Sequence, residues 1–283
     1  KDLPHENTMD LIAYKNGKEY ARRRVMSIGG GDIRVDGEKS IEAPEIYSET
    51  CFKEIEDYCL SRNIRLSDYV YEREDEHIKE YLAEVWEVMQ SAIKRGIAAE
   101  GILHGGLGLQ RKARYLFRQQ HIDESEETKT NRLICAYAYA VSEENAAGGM
   151  IVTAPTCGSC AVLPSVLKYM QEKNGFSDED ILRALAVGGL IGNLVKHNAS
   201  ISGAECGCQA EIGAACSMAA AALGEIFEMD SAELREKFVS QSSYRYVLVK
   251  AKVEKAQRDL VSAFMNEFIT YKDSEGNKRL VYY

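Results

Sequence analysis

Apolar positions along the chain change their spacing twice. Over the first 40 residues they fall in short alternating runs broken by turn residues. DLIAYKNGKEYARRRV sets Asn16-Gly17 between two such runs, a hairpin signal, and MSIGGGDIRVDG adds three consecutive glycines. From about Tyr47 to Leu103 the spacing lengthens to three and four residues. Leu82, Val85, Trp86 and Met89 share one face with acids opposite, which predicts an amphipathic helical layer whose acid face is solvated. Between Ala136 and Leu223 charge thins out and small residues dominate, marking the interior. Ser177 and Asp180 there form a capping-box pattern opening a helix through ILRALAVGGLIGNLVKHN. Gly188, Gly189 and Gly192 along it each cost about 1 kcal/mol relative to alanine, so a neighbouring helix or a bound substrate must approach that backbone. After Gly224, Asp230 and Glu233 are placed to cap a charged helix, SAELREKFVSQ, followed by a Lys- and Tyr-rich alternating tail. The expected fold is mainly α: a β/turn-rich segment over residues 1–46, a helical domain over 47–223 and a distinct tail over 224–283.

Composition narrows the partners. The 283 residues are 45% hydrophobic, enough for a sizeable core, and the net charge of -9 argues against a general binder of nucleic acids or anionic membranes, which needs a basic face. A small-molecule partner is expected. The longest apolar run, Ala184 to Val195, is interrupted by Asn193 and falls short of the roughly 20 residues that span a bilayer. The opening KDLPHENTMD lacks the basic and then apolar order of a signal peptide, so a cytoplasmic chain is expected. Five of the eight cysteines lie between Cys157 and Cys216, and in a chain of this kind that favours metal or redox chemistry over a disulfide scaffold.

Helical geometry sorts those cysteines. With residues 208 to 223 helical, Cys208 and Cys216 stand roughly 12 Å apart at about 1.5 Å per residue, too far to share one small site, and Cys216 reads as a buried small side chain. On a helix Cys206 and Cys208 would point roughly 200° apart, so one of them at most faces a given site. Cys157 and Cys160 in TAPTCGSCAVLP make a C-x-x-C, the spacing of zinc sites, redox sites and tight turns alike. His77 and His121 sit among charges and read as surface, whereas His5, His104 and His197 lie in less charged segments. Lys196, His197 and Asn198 directly precede SISGAE, so one helix end delivers several polar groups to the next helix start, as a carboxylate-bearing substrate requires.

Several blocks, in order, resemble the iron-sulfur-dependent L-serine dehydratases, also called L-serine ammonia-lyases: LPHENTM (3–9), SIGGG (27–31), HGGLGLQRKA (104–113), EENAAGG (143–149), TAPTCG (153–158), GLIG (189–192), KHNASISGAE (196–205) and GCQAEIGAACSMAAAAL (207–223). The resemblance covers roughly residues 3 to 223. It implies a helical catalytic domain holding a [4Fe-4S] cluster, with Cys208 matching the family's first cluster ligand and Cys157 and Cys160 as substitutes for missing ones. One iron, lacking a cysteine, would act as Lewis acid on the hydroxyl of L-serine while a base removes the Cα proton, giving aminoacrylate and then pyruvate and ammonium. Pyridoxal phosphate is not required on this route. His5 is the first candidate for the base, with His104 and Lys196 as competitors. Thr156, Asn198, Ser200 and Ser202 are candidate substrate contacts, and a homo-oligomer is expected. The family's second and third cluster cysteines fall where this chain has Lys250 to Leu260, which contains no cysteine. A noncatalytic zinc or cluster module, or a catalytically impaired partial member, is the alternative reading.

Overall fold

The computed structural model describes residues 4–5, 7–29, 32–38, 46–120, 122–201, 207–229, 270–272 and 278–280. Strands β1 (Thr8–Lys15), β2 (Lys18–Gly29) and β3 (Asp32–Val35) form an antiparallel meander in the order β1-β2-β3. Asn16 and Gly17 close its first hairpin with φ of 52° and 75°, the left-handed pair of a two-residue turn. Helices follow: α1 (Phe52–Arg62), α2 (Leu66–Arg73), α3 (Ile78–Ala98), α4 (Ala113–Arg118), α5 (Glu126–Ala146), α6 (Val162–Asn174), α7 (Asp178–Asn198) and α8 (Cys208–Ile226). Strands β4 (Thr270–Lys272) and β5 (Lys278–Leu280) pair in the tail. The mainly α expectation with a short β segment at the start holds. The expected cap of SAELREKFVSQ, together with His121, Ser202 and Cys206, lies outside the described residues.

Local signals set the helix ends. Ser177 Oγ accepts from the Asp180 amide at 3.2 Å while Asp180 Oδ2 accepts from the Ser177 amide at 2.9 Å, the reciprocal box that opens α7. On α3, Leu82, Trp86 and Met89 are buried and Val85 packs beside them, while Glu80, Glu84 and Glu87 are exposed, as the periodicity predicts.

The main core joins α1, α2, α3, α6, α7 and α8, and a second cluster lies between α3, α5 and α6. Helix α8 has almost no polar face, because alanines 214, 215, 219, 221 and 222 are all buried. It runs antiparallel to α7. Met218 spans both of α7's inward glycines: a Cβ on Gly188 would lie 3.5 Å from the Met218 carbonyl oxygen, and one on Gly192 would lie 3.1 Å from its sulfur. Those two glycines serve helix packing, whereas Gly189 faces open space. A closer approach joins α3 to α5, where a Cβ on Gly96 would fall 2.2 Å from the Ala140 carbonyl oxygen.

At the C-terminal end of α8, Glu225 is buried in a polar knot. It accepts from Ser67 Oγ at 2.7 Å and pairs with Arg65 at 3.0 Å, while Arg183 bridges Ser67 at 2.8 Å and Asp68 at 3.0 Å. Burial raises the carboxyl's pKa, against the opposing pull of the Ser67 hydrogen bond and the two guanidiniums.

Replacing Gly96→Ala should force α3 from α5 and lower stability by about 1–3 kcal/mol. Gly189→Ala, with nothing within 4 Å of its Cβ, should raise it by up to about 1 kcal/mol. Urea unfolding of both variants checks the pair, and equal effects would remove the packing account. Because the folded chain holds the Glu225 proton to higher pH than the unfolded chain, this group's stabilisation is complete below the ordinary value of 4.5 and is lost as pH rises through the raised folded value. Glu225→Gln should therefore flatten the stability-against-pH curve above about pH 4.5. The same slope in variant and parent would refute this.

Candidate functional site

Four of the blocks quoted for the resemblance, HGGLGLQRKA, EENAAGG, TAPTCG and the start of GCQAEIG, meet at one end of the helical body, and contacts to main chain bring them together. Two consecutive acids at the C-terminal end of α5 do much of this. Glu143 is buried, and its Oε1 accepts from the backbone amides of Lys112 at 2.5 Å and Ala113 at 3.2 Å, which fixes the start of α4. Glu144, also buried, accepts from Arg95 Nε at 2.9 Å and lies 3.7 Å from Arg111 Nη1. The HGGLGL loop thus hangs between the end of α3 and an anchored α4. Its stem is closed by Leu103 N donating to the Leu109 carbonyl at 2.8 Å and Arg111 N donating to Gly101 at 2.9 Å. His104 is exposed on the loop.

Asn145, the next residue on α5, donates through Nδ2 to the Cys157 carbonyl at 3.1 Å. That turn is held internally as well: the Thr156 and Ser159 hydroxyls lie 3.1 Å apart, and Ser159 donates to the Ala154 carbonyl at 3.3 Å. Thr156 and Ser159 are both buried. Gly158 sits against the first turn of α8, where an added Cβ would come within 2.6 Å of Glu211 Oε2. Any larger residue there would make the Glu211 carboxylate move aside. The C-x-x-C turn and the start of α8 are therefore neighbours, with Cys157 and Cys208 both exposed beside the contact.

The thiols differ in character. Burial pushes the Cys160 thiol up to about 11, with the neighbouring Cys157 adding to the shift, and pushes Cys216 up to about 11 by itself. A raised pKa opposes the thiolate that metals bind, so Cys157 is the better placed of the C-x-x-C pair. Among the described residues no group of three His, Cys, Asp or Glu side chains is arranged to hold a metal ion. A four-iron cluster normally takes several thiolates, and the described residues bring two exposed thiols to this edge, so they do not by themselves fit a complete [4Fe-4S] site.

Lys196 and His197 are exposed and Ser200 is half-buried, at the end of α7 that antiparallel packing sets beside the start of α8. Asn198 spends its amide on the Thr50 carbonyl at 2.7 Å and the Leu194 carbonyl at 3.0 Å, tying α7 to the segment before α1. His5 precedes β1, and its Nδ1 accepts from the Asn7 amide at 3.1 Å. With Nδ1 so engaged, the neutral ring carries its proton on Nε2 and presents a donor. The meander packs mainly on itself, and His5 has no hydrogen bond to the helical residues gathered here. Sequence reasoning passed over Glu143, Glu144, Asn145 and Glu211. The available signal was acids set among small residues in EENAAGG and GCQAEIG.

Residues 15–237 match the family model described as serine dehydratase alpha chain. The L-serine dehydratase 2 of Escherichia coli is 40% identical over 251 residues, covering 81% of this chain and 53% of that protein. The L-serine dehydratase of Streptomyces coelicolor is 41% identical over 242 residues, covering 80% and 53%. L-serine dehydratase 1 of Escherichia coli is 42% identical over 240 residues, covering 80% and 53%. The chain spans about half the length of these curated relatives. With a family match running through the turn, α7 and α8 alike, the chain belongs to the serine dehydratase alpha-chain family.

Proposed function

We propose that this chain is the catalytic part of an L-serine dehydratase that converts L-serine to pyruvate and ammonium, and that it contributes Cys208 to a [4Fe-4S] cluster. The observation that carries the proposal is the contact of Gly158 with Glu211, which sets the exposed Cys157 and Cys208 at one edge of the bundle. The names of the relatives support the substrate. In the reaction, the Cα proton goes to a base, the β-hydroxyl leaves as water, and aminoacrylate tautomerises and hydrolyses to pyruvate and ammonium. His5 is proposed as the base, ahead of His104 and Lys196. To accept a proton at Nε2 it must first give up its bond from the Asn7 amide and carry its own proton on Nδ1. Thr156, Asn198, Ser200 and Ser202 are proposed to line the substrate. The buried hydroxyl of Thr156 and the engaged amide of Asn198 suit a role in shaping the pocket wall. A cytoplasmic homo-oligomer is proposed as the working form.

Anaerobic reconstitution with iron and sulfide, followed by iron analysis and a pyruvate assay on L-serine, tests the proposal. With two exposed thiols at the edge, iron should bind at well below four per chain and turnover should be slow. Cys208→Ser should remove most of that iron and Cys216→Ser little of it, since α8 carries the two roughly 12 Å apart and the second is half-buried with a raised thiol pKa. Equal losses would overturn the role given to Cys208. Near four irons per chain with brisk pyruvate release would overturn the incomplete site.

His5→Asn should abolish pyruvate formation and leave the visible absorbance of bound iron unchanged, as a base outside the metal shell requires. Pyruvate release at the parent rate would pass the role to His104 or Lys196.

A further inference from the structure

A cavity of about 390 Å³ opens between the end of α3 and α4, lined by neither Cys157 nor Cys208, and three arginines line it. Arg111, Arg114 and Arg118 face it together with Glu100, Tyr115 and Gln119. Arg114 and Arg118 are four apart on α4 and so share one helix face, which continues the direction set by Arg111 three residues earlier.

The charges around this cavity do not cancel. Arg114 is paired with Glu100 at 2.7 Å, and its Nη1 donates to the Ala98 carbonyl at 2.9 Å. Arg111 Nη1 faces Glu144 Oε1 at 3.7 Å, while the other oxygen of that carboxylate accepts from Arg95 at 2.9 Å, so two cations share one acid. The Arg111 Nη1 is buried with no hydrogen-bond partner, a costly state for a charged donor. Arg118 has no carboxylate partner among the described residues. Three cations and one carboxylate line the cavity, an excess of two positive charges. Adding Arg95 and Glu144 leaves that excess unchanged. The neighbouring Glu143 and Lys112 cancel one another as well. In a chain of net charge -9, such a concentration of like charge destabilises the empty pocket and attracts an anion.

We infer that this cavity binds a small metabolite bearing a dianionic head group, a phosphate monoester or a dicarboxylate. Guanidinium forks match the paired oxygens of either group, and a dianion balances the excess charge. The volume lies at the lower end of small-molecule sites, which suits a ligand of a few carbons. Arg118, which has no carboxylate partner among the described residues, would gain a counter-charge.

The full chain is titrated with inorganic phosphate and with succinate, each against sodium chloride at matched ionic strength, by calorimetry and by thermal unfolding. At least one dianion should bind saturably, one per chain, and raise the unfolding temperature. Phosphate alone identifies the phosphate-monoester class, and succinate alone the dicarboxylate class. Arg118→Ala should weaken binding about tenfold or more, as loss of a charge-assisted hydrogen bond does, and leave the urea midpoint of the unliganded chain unchanged. Arg118→Lys keeps the charge without the fork and should fall between. The inference is overturned by absence of binding from both dianions, by an equal effect of chloride, or by unaltered affinity in Arg118→Ala.

Discussion

Met218 lying across the backbone of α7 is the contact on which the rest of this structure depends. Its carbonyl meets α7 at Gly188 and its thioether at Gly192, where a Cβ would lie 3.5 Å and 3.1 Å away, so the two helices pack closely along small residues. Helix α8 can then bury alanines along nearly its whole length, and small residues give it contact area without conformational cost. Because α7 and α8 are antiparallel neighbours, fixing their separation also fixes their ends. One end carries Cys208 and the other Glu225. At about 1.5 Å per residue these lie about 25 Å apart, so the thiol edge and the buried acid knot are two separate sites braced by one helix pair.

The two ends are built differently because they bury different things. At Glu225 the charge is enclosed, so it needs partners from two elements: Ser67 and Arg65 at α2, and Arg183 on α7. That arrangement locks α2 onto the α7–α8 pair, and burial still wins over the partners in setting the carboxyl's pKa. At Cys208 the thiol is exposed, and nothing of the side chain is spent on holding the fold. The groups free for chemistry thus stand on a frame secured elsewhere, which is how a site can keep unsatisfied ligands without unfolding its scaffold.

Features that depend on near neighbours were legible in the sequence. Asn16-Gly17 closes its hairpin and Ser177 with Asp180 caps α7 because each signal is complete within four residues. The apolar stripe on α3 was legible for the same reason. Gly96 was not, since the backbone it must clear belongs to Ala140 on another helix, and a glycine in KRGIA carries no local mark of that. Glu143 and Asn145 escaped notice likewise: their partners lie 31 and 12 residues away in the chain. Position alone put Asn198 beside a substrate, without sight of the Thr50 carbonyl 148 residues away that takes its amide. The resemblance gathered the right blocks, but blocks do not say which atoms touch.

Those touching atoms share one property, which accounts for how the site is assembled. Glu143 binds the amides of Lys112 and Ala113, Asn145 binds the carbonyl of Cys157, and Gly158 brings its bare backbone to Glu211. Each link joins a side chain to main chain and fixes where a loop runs while leaving the loop's own side chains unused. A side chain that grips backbone tolerates variation in the gripped residue but not in itself. The loop of His104 and the turn of Cys157 are both held in this way, by Glu143 and Asn145. Glu143 and Asn145 of EENAAGG are therefore constrained by the backbone they hold, which explains why polar residues stand in a segment otherwise composed of small residues.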